Sequence, residues 1–217
     1  MKKILMAAVA VAALAIAGSA SAEGKFSYNI GATSDYVFRG LSQTNGGAAV
    51  QGGVDYANGL FYAGTWASNV DKSFGPKGYE LDLYAGIKPT YEKFAFDLGV
   101  ISYQYGTKGY NTTEFKVAVS HPIAKGTFGA ALYSNIDYGS TFYYELNGSY
   151  PLSDKLSLSG AVGEQDLLGA KYSTANLGLT YAITPTLSLD ARLSDTNIPE
   201  WFKPGKPRAA VSLKAAF

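Results

Sequence analysis

The last nine residues of the chain alternate between apolar side chains and polar or small ones, and they end on an aromatic residue. Every odd position from Ala209 to Phe217 is apolar, while Ser212 and Lys214 fall on even positions. Successive side chains of a strand point to opposite faces. The segment therefore predicts a final β-strand with one apolar face, one polar face and Phe217 at its end.

The same alternation recurs along most of the chain, in residues 50–56, 79–88, 94–100, 114–120 and 187–194. In each segment one face is apolar and the other carries the charged residues. A strand between lipid and an aqueous lumen needs this arrangement. A register shift of one residue would place the charges in lipid, where a Lys or Arg at the midplane costs about 2–4 kcal/mol. The pattern thus predicts which face of each strand is lumenal.

Turn signals divide the chain at regular intervals. Short turns are predicted at 57–59, 88–92, 121–125, 151–155 and 182–185, and more polar links at 39–47, 69–78, 106–111, 136–140, 164–171 and 195–207. All the links except 136–140 are longer than the short turns, as expected for external loops opposite periplasmic turns. These eleven connections predict an all-β fold, a transmembrane antiparallel β-barrel of about twelve strands. Ten or fourteen strands remain compatible, because alternation is weak in residues 26–37 and 133–138.

Aromatic residues cluster where the predicted strands end, as the two aromatic girdles of a membrane barrel require. Near the short turns lie Tyr56, Phe61, Tyr91, Phe94, Tyr150, Tyr181 and Phe217; near the longer links lie Tyr36, Phe38, Trp66, Tyr79, Tyr105, Tyr138, Phe142 and Tyr172.

The N-terminus has the order of a secretory signal. Lys2 and Lys3 precede an apolar run over residues 4–17, and Ala20 and Ala22 form a small-residue cleavage site. A run of about 14 apolar residues is short for a bilayer span. We therefore expect a signal peptide over residues 1–22 and a mature outer-membrane β-barrel over residues 23–217, exported through the periplasm.

Composition limits the chemistry available to the chain. Without Lys2 and Lys3, 16 basic residues face 17 acidic ones, a net charge of −1 that gives no attraction to nucleic acid. The chain has no Cys, and His121 is its single histidine. His121 precedes Pro122 in a predicted periplasmic turn, away from the outer leaflet where a lipid-hydrolysing Ser/His pair would act. The sequence predicts no enzyme, no cofactor and no metal site.

The predicted lumenal face carries seven acids and four bases. They are Asp55, Glu80, Asp82, Asp97, Glu114, Glu145 and Asp190, against Lys88, Lys116, Arg192 and Lys214. We expect Glu80 and Asp82, two apart on one face, to pair with Lys88 or Lys116. One interpretation is a narrow channel for small hydrophilic solutes or ions with weak cation preference. The other is a barrel closed by salt bridges, a structural or adhesive scaffold with partner-binding external loops. In either case the link 195–207, with Trp201, Phe202 and three prolines, is the candidate for an inward loop, and it could cap the mouth or rest on the membrane surface.

One local motif adds a family resemblance. The segment Ser34-Asp35-Tyr36-Val37-Phe38-Arg39-Gly40-Leu41-Ser42-Gln43, with Tyr79-Glu80-Leu81-Asp82 and the terminal Phe217, resembles the TorF family of porin-like proteins of Gram-negative bacteria. The resemblance covers the whole precursor and implies an outer-membrane channel without catalytic residues. The final strand also resembles the closing strand of outer-membrane barrels, whose terminal Phe is read by the barrel-assembly machinery. Arg39 is then expected either to guard the pore mouth or to hold the first external loop by pairing with a carboxylate.

Overall fold

The computed structural model describes residues 24–137, 141–167, 170–199 and 202–217. The predicted signal peptide, Tyr138 and Trp201 lie outside the described residues. No helix in the described part of the chain is long and apolar enough to cross a membrane.

Fifteen strands follow one another along the described chain. They are β1 (Lys25–Thr33), β2 (Val37–Phe38), β3 (Leu41–Ser42), β4 (Ala49–Asn58), β5 (Phe61–Asn69), β6 (Tyr79–Ile87), β7 (Thr90–Tyr91), β8 (Phe94–Gln104), β9 (Thr112–Ile123), β10 (Gly126–Asn135), β11 (Thr141–Pro151), β12 (Leu156–Leu167), β13 (Ala170–Ala182), β14 (Leu187–Thr196) and β15 (Arg208–Ala216). A single 3-10 turn, Lys203–Gly205, precedes β15.

Twelve of these strands close into an antiparallel barrel. The ring runs from β6 through β5, β4, β1, β15 and β14, then back through β13 to β8, and β8 pairs with β6 to complete it. The short β7 pairs only with β8, and β2 and β3 form a separate hairpin. The predicted all-β, twelve-stranded barrel is confirmed.

Strand register separates an apolar outer face from a polar inner face. Leu177 and Val54 point outward, whereas Glu80 and Asp97 point inward and are each 1% exposed. On β15, Lys214 lies opposite Gly31 and Ser188 on the inner side of the wall. The predicted alternation therefore holds, because a charged side chain is accommodated only on the lumenal face.

Three strand boundaries differ from prediction. The predicted turn at 121–125 is shorter, because β9 continues to Ile123 and contains His121 and Pro122, which pair with Phe128 and Thr127 of β10. The predicted link 164–171 is wrong: β12 continues to Leu167 and β13 begins at Ala170, because pairs such as Asp166 with Lys171 extend the ladder. The first strand ends at Thr33 instead of residue 37, since the chain there turns into the barrel. Consequently the loop after β1 is longer than predicted.

The two aromatic girdles are unequal. All seven aromatic residues predicted near the short turns are exposed on the outside: Tyr56, Phe61, Tyr91, Phe94, Tyr150, Tyr181 and Phe217. At the opposite end, the prediction is wrong for five residues whose contacts lie inside the barrel: Tyr36, Phe38, Trp66, Tyr105 and Tyr172. Tyr79 is exposed there, and Phe142 stacks on the exposed Tyr144. Trp66 and Tyr172 lie inside because the alternation of their strands places them on the inner face. Tyr36 and Phe38 lie inside because they belong to the loop that follows β1.

Candidate channel site

The connection between β1 and β4, residues 34–48, folds into the lumen and is called the inward loop below. Its two short strands, β2 and β3, are joined by Arg39 and Gly40. Both have positive φ, 47° and 78°, as the central residues of a type I′ hairpin turn require. A Cβ on Gly40 would collide with the side chains of Thr196 and Thr174. The turn is therefore packed tightly against the far wall of the barrel.

Arg39 is the central contact of the inward loop. Its guanidinium donates two hydrogen bonds to the Glu114 carboxylate, at 2.8 and 2.6 Å, and a third to Gln165 Oε1 at 3.0 Å. It also lies 4.8 Å from the ring centroid of Tyr133 and 4.4 Å from that of Tyr143. A bidentate ion pair combined with cation–π contacts fixes both the position and the plane of a guanidinium.

Neighbouring hydroxyl groups support this ion pair. Tyr103 donates to Glu114 Oε2 at 3.1 Å, and Tyr172 donates to the backbone carbonyl of Arg39 at 3.2 Å. The inward loop is rooted at β1 and β4, whereas these partners stand on β8, β9 and β13, and the other Arg39 contacts add β10, β11 and β12. Since that group of strands faces β1 and β4 across the ring, the loop spans the lumen.

The root of the inward loop is held by a buried carboxylate. Asp35 accepts hydrogen bonds from Ser42 at 2.6 Å and from Thr44 at 3.0 Å. Arg208 of β15 lies 3.6 Å from the same carboxylate. These contacts fold the loop upon itself before it crosses the barrel.

The predicted inward loop, residues 195–207, occupies a different position. Thr196 donates to the carbonyl of Gly205 at 2.6 Å and Arg208 donates to that of Lys203 at 2.6 Å, so the segment closes on itself. The 3-10 turn within it contacts β3. The loop that enters the lumen is therefore 34–48 and not the candidate 195–207. The described residues of that segment contact β3 of the inward loop, the position expected of a segment that caps the mouth.

Within the barrel, the inward loop and the strand walls enclose a cavity of about 730 Å³. Of the eleven residues predicted on the lumenal face, eight line this cavity: Asp55, Asp82, Lys88, Asp97, Lys116, Asp190, Arg192 and Lys214. The other three are Glu80, Glu114 and Glu145, whose carboxylates accept hydrogen bonds from Tyr105, Arg39 and Tyr143. The structure thus brings the predicted set to the inner side of the wall.

Two cations of the cavity are neutralised by adjacent acids. Lys116 contacts Asp97 at 2.7 Å, and Tyr62 donates to the other oxygen of Asp97 at 2.7 Å. Arg192 contacts Asp190 at 3.1 Å and also donates to Asn176 at 2.6 Å. The Lys116–Asp97 pair joins β9 to β8, and Arg192 pairs with Asp190 on its own strand and joins β14 to β13 through Asn176. Both pairs reduce the field that a passing ion would meet.

Two further cations have no carboxylate partner among the described residues. The Lys88 amine lies 4.3 Å above the ring of Tyr62, and burial lowers its pKa. Lys214 forms no ion pair in the described part of the chain, while Asp55 accepts a hydrogen bond from Tyr84 at 2.6 Å. Lys88, Lys214 and Asp55 therefore line the cavity without an ion-pair partner in the described residues.

Glu80 and Asp82 have no basic partner in the described residues. The expected pairing with Lys88 or Lys116 is wrong, because those amines contact Tyr62 and Asp97. Glu80 Oε1 accepts a hydrogen bond from Tyr105 at 3.1 Å. Glu80 Oε2 and Asp82 Oδ1 are buried and receive no hydrogen bond from the described residues.

Sequence reasoning identified Arg39 but not the residues that hold it. Tyr133 and Tyr143 lie opposite each other on β10 and β11, and Gln165 opposes Tyr143 on β12. All three share the inner face with Glu114 or Glu145. The alternation of side chains along each strand predicts that these three uncharged residues face the lumen. It does not predict their contacts with Arg39.

The described residues show no arrangement for hydrolysis or metal binding around the single histidine. The His121 ring packs against Phe94 with 4.8 Å between centroids and makes no hydrogen bond to a described residue. No group of three or more potential metal ligands occurs in the described part of the chain.

A closed antiparallel barrel of twelve strands, apolar outside and charged inside, is the fold of outer-membrane barrel proteins. The chain belongs to the Gcw_chp family, described as bacterial proteins of unknown function, which matches residues 17–217. The matching family thus does not carry the TorF name that the sequence resemblance suggested. No protein of curated function matches the sequence.

Several solved outer-membrane barrels share the fold. The KdgM porin superposes with a TM-score of 0.66 at 8% identity, over 88% of this chain and 99% of that chain. The NanC porin superposes with a TM-score of 0.58 at 9% identity, over 89% and 99%. Outer membrane phospholipase A from Escherichia coli gives 0.52 at 14% identity, over 88% and 91%. At such identities the similarity shows the fold alone.

Proposed function

We propose that this protein is an outer-membrane channel for passive diffusion of small hydrophilic solutes or ions, held here with the inward loop across its lumen. The observation that carries the proposal is the cavity of about 730 Å³ below that loop, lined by charged side chains. A barrel that served only as a scaffold would have no need for free lysines such as Lys88 and Lys214 in its interior. Twelve strands also lie between barrels filled by their own side chains and wide porins.

The proposed location follows from the fold and from the predicted signal peptide over residues 1–22. The apolar outer face supports insertion into the outer-membrane lipid bilayer after export through the periplasm. We propose that the barrel-assembly machinery recognises the last strand, with Phe217 as its assembly signal. Phe217 is 70% exposed, so its ring is accessible on the barrel surface.

We propose that the ion preference of the channel is weak and towards cations. Three of the seven lumenal acids, Glu114, Asp97 and Asp190, are neutralised by a base. The four acids without a basic partner in the described residues, Asp55, Glu80, Asp82 and Glu145, outnumber the two such bases, Lys88 and Lys214. Near-balanced charge permits ions of both signs to enter, with the unpaired acids leaving a small excess of negative charge.

A second candidate function is a non-conducting scaffold whose external loops bind a partner. The contact between Arg39 and Glu114 favours it, because this ion pair ties a loop across the lumen. The two candidates differ in whether that loop ever leaves its position.

Single-channel recording distinguishes the two candidates. The mature protein and its Arg39→Ala variant are refolded, shown to be barrels by their gel mobility before and after boiling, and inserted into planar bilayers. Discrete current steps from either protein support the channel. Silent membranes containing both folded proteins would reject it and leave the scaffold.

A further inference from the structure

Glu80 and Asp82 form an unusual pair beneath the inward loop. They stand two residues apart on the inner face of β6, the closest spacing at which two side chains of one strand share a face. Glu80 is 1% exposed. Since Glu80 Oε2 and Asp82 Oδ1 have no donor among the described residues, two ionised carboxylates would face each other without compensation.

The groups around the pair supply no positive charge. Tyr105 donates to Glu80 at 3.1 Å, Tyr103 faces Asp82 from β8, and Trp66 faces Asp82 from β5. Glu114 stands two strands away on β9, and its charge is neutralised by Arg39. A single proton between the two carboxyl groups would satisfy both orphan oxygens, because a protonated carboxyl donates one hydrogen bond to its ionised neighbour.

We infer that Glu80 and Asp82 share one proton and that this proton holds the inward loop in the lumen. The connection to the loop runs through Tyr36, whose ring packs edge-on against Trp66 with 5.4 Å between the ring centroids. Trp66 in turn lies opposite Asp82 in the β5–β6 register. Loss of the proton leaves two adjacent negative charges, one of them on the 1% exposed Glu80, and that charge gains hydration only if the loop above it admits water.

The direction of the pH dependence follows from proton counting. The closed form binds one proton at the pair that the open, hydrated form releases, so lower pH favours the closed form and higher pH favours the open form. The two carboxyl groups titrate as one coupled unit. The protein therefore opens as the pH rises.

Trp66 reports this transition without any current. In the mature Trp201→Phe protein, Trp66 is the remaining tryptophan. Its fluorescence emission is measured in detergent from about pH 5 to about pH 9, because burial and a neighbouring like charge can raise the pKa of a carboxyl group into this range. We expect its emission to change with pH, and the change to disappear when Asp82→Asn is added. An Asn amide donates permanently to Glu80 and cannot be ionised.

Glu145→Gln is the matched control. Glu145 is another inner-face carboxylate, on β11, four strands from β6 around the ring, and it accepts hydrogen bonds from Tyr143 and Asn147. This variant should retain the emission change. The inference is overturned if the emission change survives Asp82→Asn, or if the Trp201→Phe protein with Glu80 and Asp82 intact shows no change. It is also overturned if calcium or EDTA moves the transition, because the pair would then hold a metal ion instead of a proton.

Current recordings add the functional consequence, and this part rests on the proposed channel function. We expect the open fraction to rise with pH in the unsubstituted protein and to stay low at every pH in Asp82→Asn. An emission change in a protein that is electrically silent, with Arg39→Ala silent as well, would reject the channel while keeping the shared proton. Current without any pH dependence would reject the shared proton while keeping the channel.

Discussion

The guanidinium of Arg39 and the carboxylate of Glu114 are joined by two hydrogen bonds across the lumen, although 75 residues separate them in the chain. Both side chains are 9% exposed. Removing one partner of a buried ion pair costs about 3–5 kcal/mol, because the other charge stays buried without compensation. This contact is therefore the main restraint on the position of the inward loop.

Replacing Arg39 should release the loop. We expect Arg39→Ala to increase the fraction of time that single channels conduct, and Arg39→Lys to do so less, since an ammonium keeps the charge but loses the two-armed geometry. Planar-bilayer currents measure both effects. Lys171→Ala is the control, because it removes an equivalent charge from an exposed pair with Glu164, where ion pairs contribute little. Equal currents from Arg39→Ala and the unsubstituted protein would show that Arg39 does not restrain the loop.

The tip of the inward loop tolerates no side chain at Gly40. An Ala at this position has a left-handed backbone, which costs about 1–2 kcal/mol, and its Cβ also collides with Thr196 and Thr174. We expect Gly40→Ala to expose the loop to proteolysis in the folded barrel. Gly59→Ala is matched to it, because Gly59 has a similar φ of 59° with open space around its Cβ. Identical cleavage patterns for the two variants would mean that the collision does not matter.

Ion selectivity should depend on the cavity charges that have no ion-pair partner. Replacing Lys214 or Lys88 by Gln removes a positive charge and should shift the reversal potential in a salt gradient towards cations. Asp55→Asn should shift it the opposite way. Lys155→Gln, at an exposed turn on the periplasmic end, should leave it unchanged. If Lys155→Gln has the same effect as Lys214→Gln, selectivity arises outside the cavity.

The barrel itself was predictable because its pattern is local. Along β14, Leu187, Leu189 and Leu193 face outward while Asp190 and Arg192 face inward, and lipid penalises any other register. Parity along β13 also places Tyr172 on the face of Thr174 and Asn176. The prediction of Tyr172 as a girdle residue failed because it used nearness to a loop instead of parity.

The site was less predictable because its contacts are not local. The local motif identified Arg39 and the idea of a carboxylate partner, but nothing in the spacing selects Glu114 among seven lumenal acids. The same limitation applies to Lys116, whose partner is Asp97 and not Glu80 or Asp82. Such pairings depend on the angular position of each strand around the closed ring and on the path of the inward loop. Neither quantity leaves a periodic signal in the sequence.

The orientation of the wall can be tested by a charge on its outer face. Leu177 is 56% exposed near the middle of β13, and Leu177→Lys should destabilise the inserted barrel by about 2–4 kcal/mol. Denaturant titration in lipid vesicles measures the free energy of unfolding. Leu177→Ala serves as the control for loss of the side chain and should have a smaller effect. Equal stability of Leu177→Lys and Leu177→Ala would contradict a lipid-facing position.

The terminal residue should matter for assembly more than for the stability of the finished barrel. The backbone N–H of Phe217 donates to Tyr28 O at 2.9 Å and its carbonyl accepts from Tyr28 N at 3.0 Å, so the closing pair with β1 survives loss of the ring. We therefore expect Phe217→Ala to lower the amount of folded barrel in the outer membrane of cells while leaving the unfolding of refolded protein almost unchanged. Heat-dependent gel mobility of membrane fractions measures the first quantity, and denaturant titration measures the second. Phe61→Ala removes an equally exposed aromatic ring from the same end of the barrel. If it reduces assembly as much as Phe217→Ala does, then the assembly machinery does not read the terminal residue.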